Sequence, residues 1–355
     1  MPVPFHTDVQ IPEDQDELPR WKPSSAVILV NLGSPREPTR ASVAAFLAEF
    51  LSDRRVVESS PLLWQPILRG LVIPLRVNRV THAYASIWDG GSPLREISLR
   101  QRWRVQQQLR ARCADAAPWV RLAMSYQGPT VAATIADCQR YGIDRIVVLP
   151  LFPQYSATTT AVVFDQVARY LVHTRALPEL HLLRDYHDHP GYIAALASSV
   201  REHWQRHGRA EHLLMSFHGI PEMNVQRGDP YARQCERTAR LLALELGLHE
   251  RDWTLTYQSR FGRARWLMPY TNETLRKLPG QGVRSLDVIC PAFSADCLET
   301  LEEMAVENRA VFLDAGGTEY RFIACLNDRE DHIAALCDIV MASNSGDACT
   351  VDGSE

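Results

Sequence analysis

Two segments of the chain combine residue types that can move protons or hold a metal. The first reads Ser216-Phe217-His218-Gly219-Ile220-Pro221 and sets one imidazole directly after an apolar run. Imidazole titrates near neutral pH and is a borderline metal donor, so His218 suits either a base or a ligand. A hydrogen-bonded histidine in a turn is the plain structural alternative. Gly219 beside it allows close backbone approach. The second segment reads Pro291-Ala292-Phe293-Ser294-Ala295-Asp296-Cys297-Leu298-Glu299 and continues to Glu303. Glu299 and Glu303 are four apart on an expected helix, so they share a face and form a short acidic track. Asp296 and Glu299 have the spacing of a capping box, in which both merely satisfy backbone amides, and spacing alone favours that cap.

Other histidines and cysteines carry less. His203 and His207 share a helix face but precede Gly208 in a last turn, where cations suit the helix dipole. His187-Asp188-His189 before Pro190 reads as a turn leading into a helix. The eight cysteines, Cys113, Cys138, Cys235, Cys290, Cys297, Cys325, Cys337 and Cys349, include no C-x-x-C pair. That speaks against structural zinc, and reduced thiols in a cytosolic protein are expected.

The elements that must position these residues are short Val/Ile/Leu-rich runs separated by segments of helical spacing. That is the pattern of strands buried on both faces of a parallel sheet. Strands are expected at Ala26–Asn31, Val120–Ser125 and Arg145–Leu149, then at Leu180–Leu183, His212–Phe217, Trp253–Tyr257 and Ser285–Cys290. The last four open the second half, where the helix after Ser285–Cys290 is expected over Asp296–Arg309. The alternation predicts doubly wound α/β architecture: two similar Rossmann-like domains, each a parallel sheet flanked by helices. The expected boundaries are a disordered tail at 1–23, an N-terminal domain at 24–177, a C-terminal domain at 178–325, a C-terminal helix at 326–342 and a disordered tail at 343–355. In such sheets ligands bind beyond the carboxyl ends of strands, where both chemical segments fall.

With 46% hydrophobic residues in 355, the chain can bury real cores. Its formal net charge of -4 provides no field for gathering nucleic acid phosphates, so nucleic acid is not an expected partner. The N-terminal segment is acidic and lacks the apolar run of a secretion signal. Pro61 to Leu75 is the most lipophilic surface candidate, but Arg69 interrupts it and it falls short of the roughly 20 residues needed to span a bilayer.

In order and spacing, several segments together resemble the ferrochelatases over nearly the whole chain. They are Val30-Asn31-Leu32-Gly33-Ser34-Pro35, Gly90-Gly91-Ser92-Pro93-Leu94, Leu149 to Ser156, Ser216 to Pro221, Gly228-Asp229-Pro230-Tyr231, Gln258-Ser259-Arg260 with Trp266-Leu267, and Phe293 to Glu303. The resemblance implies two domains of one topology with a porphyrin cleft between them, and insertion of Fe2+ into protoporphyrin IX. It implies that His218 and Glu299 face each other as metal ligands or proton acceptors, with Glu303 and Asp296 carrying protons or metal outward. Leu32, Tyr84, Trp266 and Phe293 would line the macrocycle, and Ser92, Tyr84, Arg54 and Arg260 would meet its carboxylates. No bound cofactor is required, and iron is a substrate.

Departures from the family pattern add expectations of their own. Ser125-Tyr126-Gln127-Gly128-Pro129 lacks an arginine that some members carry. Cys297 replaces the histidine of animal members, in a helix first turn where amide dipoles favour a thiolate, which suggests a soft-metal inhibitor site. Ala157 stands where cluster-bearing members have a cysteine, so no iron-sulfur cluster is expected. The segment 61–75 corresponds to the family's active-site lip, which in some members rests on a membrane. A cytoplasmic protein, peripheral on the inner face of the membrane, is the resulting expectation. Oligomeric state is not readable.

Three rivals stay open on residues alone. A nucleotide-dependent dehydrogenase would need G-x-G-x-x-G after its first strand, and Pro35 spoils that loop. A sister chelatase acting on coproporphyrin III or delivering cobalt would use the same base and carboxylate. A non-catalytic two-domain binding protein would show the same architecture.

Overall fold

Strand β1, Ser25–Asn31, is buried at every position, as a Val/Ile/Leu run covered on both faces must be. The structure, a computed structural model, describes residues 21–262 and 264–343, so nearly all of both expected tails lies outside the described residues. Three further strands join β1: β2 (Trp119–Met124), β3 (Arg145–Pro150) and β4 (Glu179–Leu182). They form a parallel sheet in the order β2-β1-β3-β4, with Val27 opposite Val120 on one side and Val147 on the other. The second sheet repeats this plan with β5 (His212–His218), β6 (Trp253–Gln258), β7 (Ser285–Ile289) and β8 (Glu319–Phe322), all parallel in the order β6-β5-β7-β8.

The chain divides into two compact units, and the division departs from the expected boundary at 177/178. Unit one comprises residues up to Leu151, Thr158–Arg184 and the chain from Ile333; unit two comprises Phe152–Ala157 and Asp185–His332. Strand β4, expected to open the second half, pairs with β3 from Arg145–Glu179 to Val148–Leu182 and closes the first sheet. Its alternating exposure is that of an edge strand, and Pro178 immediately precedes this strand rather than marking a domain junction. Phe152–Ala157 joins the second unit through side-chain bonds that no local pattern announces. Gln154 Nε2 donates to Thr238 Oγ1 at 3.0 Å, the Tyr155 amide to Gln234 Oε1 at 2.6 Å, and Ser156 Oγ to Asp229 Oδ2 at 3.1 Å.

Pro61–Ile67, a π turn at Leu68–Val72 and Ile73–Ile87 form one continuous helical run. Pro74 cannot donate to the carbonyl four residues back, and the π turn stands just before it. The helix expected over Asp296–Arg309 is a π-helix, Glu299–Glu307, continued as an α-helix over Asn308–Asp314. Cys138, Cys235, Cys290, Cys297, Cys325 and Cys337 are free and buried. Cys113 is disulfide-bonded, contrary to the expectation of reduced thiols throughout.

Candidate active site

In the second unit, the exits of three adjacent strands meet. His218 ends β5, Gln258 ends β6, and the loop after β7 leads into the π-helix that begins at Glu299. The strand order β6-β5-β7 therefore brings together segments far apart in sequence. His218 Nδ1 lies 2.7 Å from the Gly219 carbonyl. A carbonyl only accepts, so Nδ1 carries the hydrogen and the neutral ring keeps its lone pair on Nε2. Trp266 and Phe293 flank the imidazole, each with its ring centroid 6.4 Å away.

Gly219 is required by proximity. A Cβ there would stand 2.8 Å from the Gln258 carbonyl oxygen and 3.0 Å from the Trp266 ring. The close approach lets the Gly219 amide donate to that carbonyl at 2.9 Å, tying the His218 loop to the exit of β6.

Gln258 is buried, and its side chain connects all three exits. Its Oε1 accepts from Ser216 Oγ at 2.8 Å and from the Cys290 thiol at 3.6 Å, while Nε2 donates to the Glu299 carbonyl at 2.8 Å. The next residue, Ser259, takes a left-handed φ of 63°. For a residue with a Cβ that conformation costs about 1–3 kcal/mol and persists where the surroundings over-determine it. Here its amide donates to Glu303 Oε1 at 2.7 Å and its hydroxyl to Oε2 at 2.5 Å. Neither Gln258 nor Ser259 stood among the expected site residues. Their position at the strand exit beside His218 was the available signal.

Burial pushes the Glu303 carboxyl above the usual range; the Ser259 bonds and the charge of His218 oppose that rise, and the charge of Glu299 adds to it. Glu303 thus lies within electrostatic reach of one imidazole and one further carboxylate. Such a set can accept protons and offer oxygen and nitrogen donors to a divalent metal. Among the described residues, no three His, Cys, Asp or Glu side chains are arranged to hold a metal ion.

Asp296 does not form the expected capping box. It is fully buried, and its carboxylate accepts from Thr300 Oγ1 at 2.9 Å, Asn327 Nδ2 at 2.7 Å and the Cys325 amide at 3.3 Å. The first-turn amide of Cys297 is met by Thr300 Oγ1 at 3.0 Å instead. These bonds make Asp296 a brace for the loop. The expected Cys297 thiolate is also corrected: the residue is buried, and burial, followed by the charge of Glu299, pushes its thiol well above the ordinary range. Desolvation outweighs the amide dipoles.

The other expected contacts lie on both units. In the second, Arg260 is exposed, 4.0 Å from Glu273 and 4.7 Å above the Tyr270 ring. The Trp266 indole N–H is buried with no hydrogen-bond partner among the described residues. In the first unit, Tyr84 is buried edge-on to Phe46 and Trp88, each 6.4 Å away. Leu32 is half-buried at the exit of β1. There Gly33, at φ +99°, lies so close to Tyr126 that a Cβ would stand 1.9 Å from its carbonyl oxygen. Ser92 precedes the helix Pro93–Cys113, with its hydroxyl buried and without a partner among the described residues. Arg54 is exposed. The lesser candidates resolve structurally: His203 Nε2 pairs with Asp287 at 3.3 Å, and His189 occupies the N-cap of the helix Pro190–His207.

A family model described as Ferrochelatase matches residues 24–344. Ferrochelatase 1 of Shewanella oneidensis is 52% identical over 315 residues, covering 88% of this chain and 94% of that protein. A ferrochelatase of Vibrio cholerae is 49% identical over 315 residues, covering 88% and 96%. Among solved structures, SirB from Bacillus subtilis with Fe3+ superposes with a TM-score of 0.53 at 12% identity, covering 90% of this chain and 95% of that one. The sirohydrochlorin chelatase SirB in complex with cobalt gives 0.54 at 11%, covering 91% and 96%, and at such identity the likeness concerns the fold alone.

Proposed function

The chain belongs to the ferrochelatase family, and from that premise we propose that it inserts Fe2+ into protoporphyrin IX, releasing two protons to give protohaem, the terminal step of haem biosynthesis. One observation supports the choice of site: Gln258, paired in register with His218, donates to the Glu299 carbonyl at 2.8 Å, and the next residue, Ser259, donates to Glu303 at 2.7 Å. A free porphyrin holds two N–H protons that must leave as a divalent metal enters, so a base and a metal donor are both needed. His218 takes a pyrrole proton through Nε2. Glu299 holds the iron before transfer, and Glu303 passes charge outward. Asp296 is left out of that relay because its carboxylate is committed to the loop.

A flat macrocycle shields its nitrogens, and a wall that holds it bent lowers the barrier by resembling the transition state. Trp266 and Phe293 are the wall residues of the second unit, and Leu32 and Tyr84 are those of the first. Ser92, Tyr84 and Arg54 in the first unit and Arg260 in the second are the propionate donors, and among the described residues the Ser92 hydroxyl and the Trp266 N–H have no hydrogen-bond partner. Protoporphyrin is preferred to coproporphyrin because the segment 61–75 is so apolar. No cofactor takes part and no iron-sulfur cluster is bound; purified, haem-free protein should therefore show no visible absorption band. The protein works in the cytoplasm, peripheral on the inner face of the membrane. Among the described residues no helix is long and apolar enough to cross one.

Anaerobic turnover of both porphyrins tests the assignment. His218→Ala and Glu299→Ala should each lower haem formation by at least about 100-fold, with protoporphyrin the better substrate of the wild type. Haem synthesis surviving in both variants would remove the site.

A further inference from the structure

We propose that Ser259 is a positioning residue for Glu303 and acts on the metal-insertion step rather than on porphyrin binding. The inference rests on reading His218, Glu299 and Glu303 as the insertion site. Its basis is that one residue supplies the two short bonds to one carboxylate, the amide to Oε1 and the hydroxyl to Oε2, while Gln258 Nε2 reaches Oε2 only at 3.5 Å. Backbone and side chain can point at the same group because Ser259 is left-handed, a conformation that L residues rarely adopt. Ser259 is itself held from behind. Gln258 is fixed by Ser216, by the Cys290 thiol and by the Glu299 carbonyl, so the β6 exit cannot drift relative to the π-helix.

The need for such a clamp follows from the side chain it holds. Glutamate has three rotatable side-chain bonds, and a half-buried one with no second anchor samples several rotamers. A carboxylate that passes a proton or an ion between neighbours must stay at a set distance from them, and a misplacement of about 1 Å can cost 100-fold in rate. Arg260, the next residue, does not share this task, since its guanidinium lies over Tyr270 beside Glu273.

The test is a double-mutant cycle in the full-length protein with Ser259→Ala, Ser259→Gly, Glu303→Gln and the combinations, reading kcat, KM for Fe2+ and KM for protoporphyrin under anaerobic conditions. Glycine tolerates the left-handed backbone, so Ser259→Gly removes the hydroxyl without adding strain and guards against a folding defect. Both serine variants should lower kcat by about tenfold, leave the porphyrin KM within about twofold, and cause no further loss when Glu303 is already Gln. Wild-type kcat in Ser259→Gly, alongside a crippled Glu303→Gln, overturns the positioning role while leaving the site intact. Losses that multiply in the double variant overturn it as well, because Ser259 then acts independently of Glu303. A fully active Glu303→Gln overturns both the positioning role and the part given to Glu303 in the site.

Discussion

Cys297 stands just before a helix yet is almost wholly removed from water, and the second fact governs its charge. Burial, reinforced by the charge of Glu299, holds the thiol protonated well above its ordinary range. Thiolate is the species that binds soft metals. Below the raised pKa each unit of pH multiplies the thiolate fraction by about ten, so inactivation by mercury through Cys297 should accelerate as pH rises. Inactivation rates measured across pH 6–9 for wild type and Cys297→Ser check this. A rate independent of pH, or one the substitution leaves unchanged, removes Cys297 as the inhibitor site. His218 shows the same dependence of chemistry on surroundings: its Nδ1 is turned to a carbonyl 2.7 Å away, which leaves Nε2 as the atom able to accept a proton.

At the scale of elements, the site depends on how tightly three strand exits pack. Gly219→Ala would bring a methyl group to 2.8 Å from the Gln258 carbonyl oxygen and 3.0 Å from Trp266, so the His218 loop must shift. Overpacking of this kind costs about 1–3 kcal/mol, and the displaced imidazole should lower turnover by tenfold or more, as roughly estimated from the sensitivity of catalysis to geometry. Thermal melts and haem formation check both, and a variant matching wild type in each refutes the close-packing account. Alternation of apolar strands and helices makes the two parallel sheets legible, and the strand-exit rule points to the loops that carry His218 and Glu299, while a role for Glu299 follows only from the family resemblance. Edge strand β4 reads from sequence as part of the second half because its pairing with β3 is a non-local fact. Asp296 looked like a cap because local spacing cannot reveal Asn327 and Cys325, which approach from a distant loop. Gln258 and Ser259 were passed over for a similar reason. Their importance lies in bonds to Ser216, Glu299 and Glu303, some forty residues away in either direction.

At the scale of the whole molecule, five of the large exposed apolar side chains among the described residues fall on one segment. Along the run that starts at Pro61, Leu62 is 88% exposed, Leu63 69%, Leu71 55% and Leu75 73%, while Leu68 alone of this segment is fully buried. The Trp64 indole donates to the Leu51 carbonyl at 2.6 Å and Gln65 to Ser52 Oγ at 2.8 Å, so one side of the helix is tied down while its leucines face water. Leaving a leucine exposed forgoes about 1.5–3 kcal/mol each, and a contiguous set of this kind marks a surface that meets something apolar. A lipid surface is the occupant favoured by a protoporphyrin substrate that partitions into membranes. Wild-type protein should therefore float with vesicles of mixed neutral and anionic lipid, and Leu62→Ser with Leu63→Ser should lower the bound fraction several-fold, with turnover of detergent-dispersed porphyrin read in parallel. The substitutions touch neither His218 nor Glu299, so a loss of dispersed-substrate turnover would assign these leucines to porphyrin capture instead. Wild-type protein that stays at the bottom of the gradient, with porphyrin present, would eliminate the membrane role.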